Sequence, residues 1–260
     1  MNTPTVKSKR NLQKNNMAND QLIYGLRPIL QAIQDEQALG NVYLQKGIGG
    51  PLYTQLEGAL RATGISPKYV PVEKLNRLTA GNHQGAVAYL SPIEFADLEA
   101  TVMAVLDAGR KPLILALDRI TDVRNFGAIA RTAESAGVDA IVIPRNDSAP
   151  VNADAIRTST GALLELPVCK VGHMKDAVFL AQSLGLKIIA GTEKSDDDIY
   201  SAPFSEGCML IMGNEETGVH KSLLQLADHK AKIPMMGTIN SLNVSVATGI
   251  LLYEAVRQRQ

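Results

Sequence analysis

Tryptophan is absent from the 260 residues, and aromatic side chains make up only 4%. A chain so poor in flat rings is not built to hold single-stranded nucleic acid on a row of stacking platforms. Cysteine occurs only at Cys169 and Cys208, far apart and in no metal-ligand spacing. They read as two buried thiols in a reducing compartment rather than as a disulfide framework. His83, His173, His220 and His229 are scattered, with no metal spacing and no serine or cysteine nucleophile pattern. No apolar run reaches the ~20 residues of a membrane span, and residues 1–20 lack the apolar core of a signal peptide. The expectation is a soluble, cytoplasmic protein without a membrane or metal partner. Net charge is missing as well: 26 basic residues balance 26 acidic ones. A polyanion, if one binds, must therefore meet a local patch. Residues 1–20 supply one candidate, a polar stretch with Lys7, Lys9, Arg10 and Lys14 against Asp20 alone, read as a disordered basic tail.

Hydrophobic residues reach 45%, enough for a sizeable core. From Tyr24 the pattern becomes regular. "GLRPILQAIQ" reads as a helix, "NVYLQK" as a strand, and "PLYTQLEGALRATG" as a helix ended by Gly64. "SPKYVP", "VEKLNRLTA" and "GAVAYLSP" follow as strand, helix and strand. Together they make a small α/β unit over about 21–92. A helical stretch closing on Gly109 (93–111) reads as the joint to a second domain, 112–260. There the strands are short apolar runs at 112–118, 140–144, 164–170, 186–192, 208–213 and 229–235. Helical patterns at 125–136, 173–184 and 243–258 alternate with them, which indicates a parallel sheet covered on both faces. Ligands bind such sheets at the carboxyl ends of the strands.

Three segments there carry polar clusters. After the strand at 112–118 comes "DRITDVRNFGAIARTAESAG", in which Asn125 can cap a helix starting near it and Arg131 lies about 9 Å further along. From this segment alone, a capped core helix with a surface arginine is the favoured reading. The strand at 208–213 ends in "GNEETG". A phosphate loop needs lysine directly after the second glycine, but Val219 stands there, with Lys221 and Ser222 displaced by two positions. No G-x-G-x-x-G follows any strand either, so nucleotide and dinucleotide loops are both undercut. Gly213 and Gly218 instead suggest backbone approached closely by a ligand, with Glu215 and Glu216 on an exposed turn or, as plausibly, a merely solvated one. The third segment, "IPMMGTINSLNVSVATGI" (233–250), sets Asn240, Ser241 and Asn243 around Leu242 where the last helix begins. Pro234 would end a strand, Gly237 allow a reversal, and Ser241 or Asn243 cap the helix. One cap residue is expected there and a cluster is not, which favours a binding loop. Asp196, Asp197 and Asp198 read as a solvated turn.

Taken in order, "NFGAIARTAESAG", "IMGNEETG" and "IPMMGTINSLNVSVATGI" resemble the three motifs of the SpoU/TrmH family of RNA ribose 2′-O-methyltransferases. "STGALLELPV" is similar to the family as well. "YGLRPILQAI" and "HQGAVA" resemble the L30e-like RNA-binding domain of the branch that methylates a guanosine in 23S rRNA. The resemblance implies a SPOUT-type α/β fold with a deep trefoil knot near the carboxyl terminus, an exception to unknotted topology. It implies S-adenosylmethionine (SAM) bound against Thr192, Gly213, Ile233 and Leu242. Asn125, Arg131, Glu215, Ser241 and Asn243 would be the catalytic or structural polar positions, with a homodimer in which the acting arginine comes from the partner subunit. A tRNA ribose methyltransferase and a non-catalytic rRNA-binding assembly factor are the rival readings.

Overall fold

The computed structural model describes residues 22–195, 197–238 and 241–260. The basic tail read at 1–20, Asp196 and Asn240 lie outside the described residues. The chain forms two compact units, the first running to Glu94 with Val151–Ala153 added to it, and the second comprising Phe95–Pro150 and Asp154–Gln260. Among the described residues, no helix is long and apolar enough to cross a membrane.

The first unit is a four-stranded mixed sheet with three helices. Its elements are β1 (Leu22–Tyr24), α1 (Leu26–Gln34), β2 (Leu39–Gln45), α2 (Pro51–Ala62), β3 (Lys68–Val70), α3 (Val72–Leu78) and β4 (Ala86–Leu90). The strand order is β1-β4-β2-β3; β4 runs antiparallel to both neighbours, and β2 and β3 are parallel. α1 and α2 bury Ile29, Leu30, Leu56 and Leu60 against Val42, Leu44, Ala86 and Ala88 of one sheet face. Strand β1 was not foreseen, because three residues are too few to show an alternation.

The second unit contains α4 (Leu98–Asp107), β5 (Leu113–Asp118), α5 (Val123–Ser135), β6 (Ala140–Pro144), α6 (Ala153–Thr158) and β7 (Val168–Val171). It continues with α7 (Met174–Ser183), β8 (Lys187–Gly191), β9 (Cys208–Gly213), α8 (Lys221–Leu224), β10 (His229–Ala231) and α9 (Val244–Arg259). Six parallel strands run in the order β10-β8-β9-β5-β6-β7. Strands β5 and β9 are buried along their whole length, as parallel strands covered on both faces must be.

Ile114, Ala116, Val142, Ile188 and Ile211 share one core with Val178 of α7 and with Leu98 and Val102 of α4. The helix of the 93–111 stretch is thus packed into this unit's core. Side chains alternate along a strand, so Leu113, Leu115 and Leu117 face the other side of the sheet. Helix α9 covers β8 and β9: a Cβ on Gly191 would stand 2.8 Å from Leu251 Cδ1 and 2.7 Å from Met212 Sδ.

Several boundaries differ from expectation. Helix α5 starts at Val123 and its cap is Asp122, whose carboxylate accepts from the N–H groups of Arg124 and Asn125, both at 2.8 Å. Asn125 lies inside the first turn, and its side chain is free for other work. Strand β10 ends at Ala231, so Pro234 lies in irregular chain beyond it. Of the run 164–170 only 168–170 is strand, as part of β7, and residues 162–164 make a 3-10 turn. The far end of α9 is held by Arg259, whose guanidinium donates to the carbonyls of Phe204, Lys111, Pro112 and Glu206 at 2.6–3.0 Å.

Candidate active site

A cavity of about 340 Å³ opens at the carboxyl ends of β8, β9 and β10, under the start of α9. Three chain segments wall it: Gly191–Glu193, Met212–Glu216 with Gly218, and the stretch from Ala231 through Ile233 and Ser241 into α9. Apolar surface comes from Met212, Ile233, Leu242, Val244 and Leu251, and polar groups from Thr192, Asn214 and Ser241. Glu193, Glu215 and Glu216 put three carboxylates at its edge.

The β9 turn is rigidly built. A Cβ on Gly213 would lie 2.1 Å from both Gly218 C and Val219 N, so only glycine fits there. What crowds this position is the chain's own backbone, and Gly213 lines the cavity against which a ligand is expected. Asn214 Oδ1 accepts from the N–H groups of Glu216 and Thr217, and its Nδ2 donates to the Arg119 carbonyl at 3.2 Å. Arg119 sits at φ +58, a left-handed conformation uncommon for a residue other than glycine. Its guanidinium binds both oxygens of Asp118, at 3.2 and 3.1 Å, and the Gly218 carbonyl at 3.1 Å. Asp118 is 5% exposed and also accepts from the His220 N–H at 2.8 Å. A buried carboxylate satisfied by a fork and an amide thereby locks the turn that carries Glu215.

A line of hydrogen bonds then joins the three polar segments. Asn125 Nδ2 on α5 donates to Glu215 Oε1 at 2.5 Å, and Asn243 Nδ2 donates to Asn125 Oδ1 at 3.1 Å. Asn243 Oδ1 in turn accepts from the Ser245 N–H at 3.0 Å, which caps α9. Each amide has its orientation fixed by its neighbours, since the carboxylate accepts only. Ser241, the other candidate cap, is exposed and lines the cavity instead.

Of the nine residues singled out from sequence, Thr192, Gly213, Glu215, Ile233, Ser241 and Leu242 line the cavity. Asn125 and Asn243 are tied to Glu215 beside it, and Arg131 stands apart. Arg131 is exposed on α5, and among the described residues its guanidinium makes no hydrogen bond or ion pair. Asp118, Arg119 and Asn214 were missed. The sequence signal was an Asp-Arg pair ending one apolar strand and an asparagine ending the next.

Helix α9 is apolar on two sides. Val244, Leu251, Leu252 and Ala255 are buried, while Val246, Ile250 and Tyr253 are exposed at helical spacing, Val246 and Tyr253 by about half. It packs along α5, with Gly249 facing Thr132. Among the described residues, no group of three His, Cys, Asp or Glu is placed to hold a metal ion.

Comparison with known proteins gives two family matches. Residues 112–253 match the SpoU rRNA methylase family, and residues 22–96 match the RNA 2′-O ribose methyltransferase substrate-binding domain. The chain is similar to the 23S rRNA (guanosine-2′-O-)-methyltransferase RlmB of Photorhabdus laumondii, with 34% identity over 92% of this chain and 98% of that protein. The RlmB of Xanthomonas axonopodis is 35% identical over 92% and 97%. The crystal structure of the SpoU methyltransferase AviRb from Streptomyces viridochromogenes in complex with AdoMet is similar at a TM-score of 0.58. It is 25% identical and covers 92% of this chain and 90% of that one.

Proposed function

The chain belongs to the SpoU family of RNA methyltransferases, and from that premise we propose that it methylates the ribose 2′-hydroxyl of a guanosine in 23S rRNA, with SAM held in the cavity at the ends of β8–β10. The observation that carries this reading is the Glu215–Asn125–Asn243 line, which binds the three polar segments together beside that cavity. The choice of 23S rRNA and guanosine rests on the likeness to the RlmB proteins, which extends through both units.

The residues present fit the cofactor. Met212, Ile233, Leu242 and Leu251 suit a purine and the aliphatic part of the methionine arm, and Thr192, Ser241 and backbone near Gly191 and Gly213 suit its amino and hydroxyl groups. Glu193, Glu215 and Glu216 give the cavity a negative edge that favours a cationic ligand. When bound, SAM supplies an electrophilic methyl group on a sulfonium. The protein's part is to position the 2′-oxygen and help it lose its proton.

Arg131 suits the second task, though not as a base, since a guanidinium has a pKa above about 12. It donates to the alkoxide as charge develops and clamps an adjacent phosphate, while the proton leaves to phosphate or water. Among the described residues nothing occupies it, and the exposed apolar face of α9 lies on the helix packed beside it. We therefore take the active form to be a homodimer, with Arg131 of the partner subunit completing each site. Asn125, Glu215 and Asn243 shape the pocket rather than exchange protons. The slim start of α9 and its polar entry at Ser241 and Asn243 would be the knotted segment of a deep trefoil knot.

The test is transfer of radiolabel from SAM to unmodified large-subunit rRNA, followed by partial alkaline hydrolysis. A 2′-O-methyl group blocks cleavage at its own linkage, so a single gap in the ladder at a guanosine, lost in Arg131→Ala, is the expected result. Label without a gap would mean base methylation. Label in tRNA only would move the enzyme to the tRNA branch, and SAM binding with no transfer to any RNA would indicate an assembly factor.

A further inference from the structure

The first unit has a cavity of its own, far in sequence from the methyl-transfer site. Asn76, Thr79, Gly81, Asn82 and His83 line it. His83 is committed to structure: its Nδ1 accepts from the Gly85 N–H at 3.0 Å, which leaves Nε2 to donate to Asn76 Oδ1 at 2.9 Å. Thr79 Oγ1 accepts from the Gly81 N–H at 3.1 Å. These bonds fix the loop and leave the Asn76 amino group and the whole Asn82 amide without protein partners among the described residues. The Tyr24 ring, 40% exposed, packs against Gly81, where a Cβ would be 2.4 Å from Cε2. A flat ring thus stands beside free amide donors and acceptors.

The sheet register shows what else gathers there. β4 begins where β1 and β2 end, through Tyr24 paired with Val87 and Leu44 with Ala86. Gln45 N–H donates to the Gly85 carbonyl at 2.8 Å, which brings Lys46 to this end. Arg27 stands three residues after Tyr24, in the first turn of α1, and Lys74 and Arg77 stand on α3 immediately after β3. Lys74 lies over the Tyr43 ring at 5.2 Å. Glu73 is the single carboxylate among these segments. The opposite end carries Asp35 and Glu36 with Arg61 and Lys68, a balanced set. The cations of this unit are therefore concentrated around the amide-lined cavity.

Resting on the RNA-methyltransferase reading, we propose that this end binds one unstacked nucleotide of the substrate RNA. Its base would lie against Tyr24 and hydrogen-bond to Asn76 and Asn82, and its flanking phosphates would meet Arg27, Lys46 and Arg77. Base edges exposed by a loop or bulge are what amide side chains and an isolated ring can read, whereas paired RNA hides them. Phosphate contacts add affinity without sequence information.

The test uses the full chain, a fluorescein-labelled hairpin from the large-subunit rRNA and its stem closed as a plain duplex. Asn82→Ala and Tyr24→Leu should each weaken hairpin binding roughly tenfold and leave duplex binding unchanged. Arg27→Gln and Arg77→Gln should weaken both RNAs and lower the salt slope by about one unit each. Arg61→Gln, at the opposite end, should match wild type. The SAM dissociation constant and the unfolding midpoint should stay unchanged throughout. Wild-type hairpin affinity in Asn82→Ala and Tyr24→Leu, or equal losses on hairpin and duplex, would overturn the proposal. Selective loss of hairpin binding with no methyl transfer by wild type would uphold this site and overturn the proposed reaction. Transfer with no selective loss would do the reverse.

Discussion

Asn243 donates to Asn125 at 3.1 Å across 118 residues of chain. The same Asn125 amide donates to Glu215, so one side chain joins the β9 turn to the start of the last helix. If this line acts as a unit, its parts must fail together. Asn125→Ala and Asn243→Ala should each lower kcat/KM roughly tenfold, and the double variant should fall little further than either one. Additive losses, measured in methyl transfer to rRNA, would show that the two amides work separately.

Gly213 is fixed by crowding and Gly218 by backbone angle, and the two predict different costs. Gly213→Ala places a Cβ 2.1 Å from two backbone atoms. It should destabilise the second unit by about 3 kcal/mol or more and abolish SAM binding. Gly218 has φ +69 with open space around its Cβ position. Gly218→Ala should cost only about 1 kcal/mol. Urea unfolding alongside a SAM titration separates the two, and equal losses would discount the crowding.

Arg131→Lys keeps the positive charge and loses the planar fork. A rate about 100-fold lower, at unchanged SAM affinity, is expected if the guanidinium grips both the 2′-oxygen and a phosphate. A wild-type rate in single-turnover transfer would rule out that two-point grip.

Arg259 holds the end of α9 through four carbonyls from the segments preceding β5 and β9. Charge-assisted bonds of this kind are the stronger class. Arg259→Ala should lower the stability of the second unit by about 2–4 kcal/mol and increase hydrogen exchange first in the last turns of α9. An unchanged unfolding midpoint would mean the carbonyls are equally well served by water.

The two thiols give a pH test. Burial pushes Cys169 and Cys208 from their ordinary 9.0 up to about 11, with Arg259 pulling Cys208 partly back. The folded state therefore keeps its thiol protons where the unfolded chain has lost them. Their stabilising effect is complete below pH 9 and declines as pH rises towards 11. Iodoacetamide at pH 8 should leave both thiols unmodified in the native protein and label both in urea. Native labelling of either would contradict the burial.

Much of the second unit was legible because fully buried parallel strands leave an unmistakable mark. The runs 140–144 and 208–213 are the observed β6 and β9 to the residue. Two short elements were not legible: α8 and β1 span four and three residues, too few to show a repeating pattern. The cap of α5 was misassigned to Asn125 because Asp122, three residues earlier, is an equally good cap by type. The Asp118–Arg119 lock left only an Asp-Arg pair at a strand end as its signal, and nothing local marked that pair as bonded, since its partners on the β9 turn are about 100 residues away. That Gly213 is hemmed in by its own chain also needs coordinates, because sequence shows where a glycine stands but not what presses on it.

The first unit concentrates its cations at one end of a sheet within a chain that carries no net charge. Such a body is drawn towards a polyanion weakly as a whole but is turned by it strongly. Within about one Debye length, some 8 Å in physiological salt, the field of the RNA would rotate the cationic end forward before any contact forms. Salt should then slow productive encounters by spoiling the approach angle, and adding cations at the balanced end would speed collision while making more of those collisions face the wrong way.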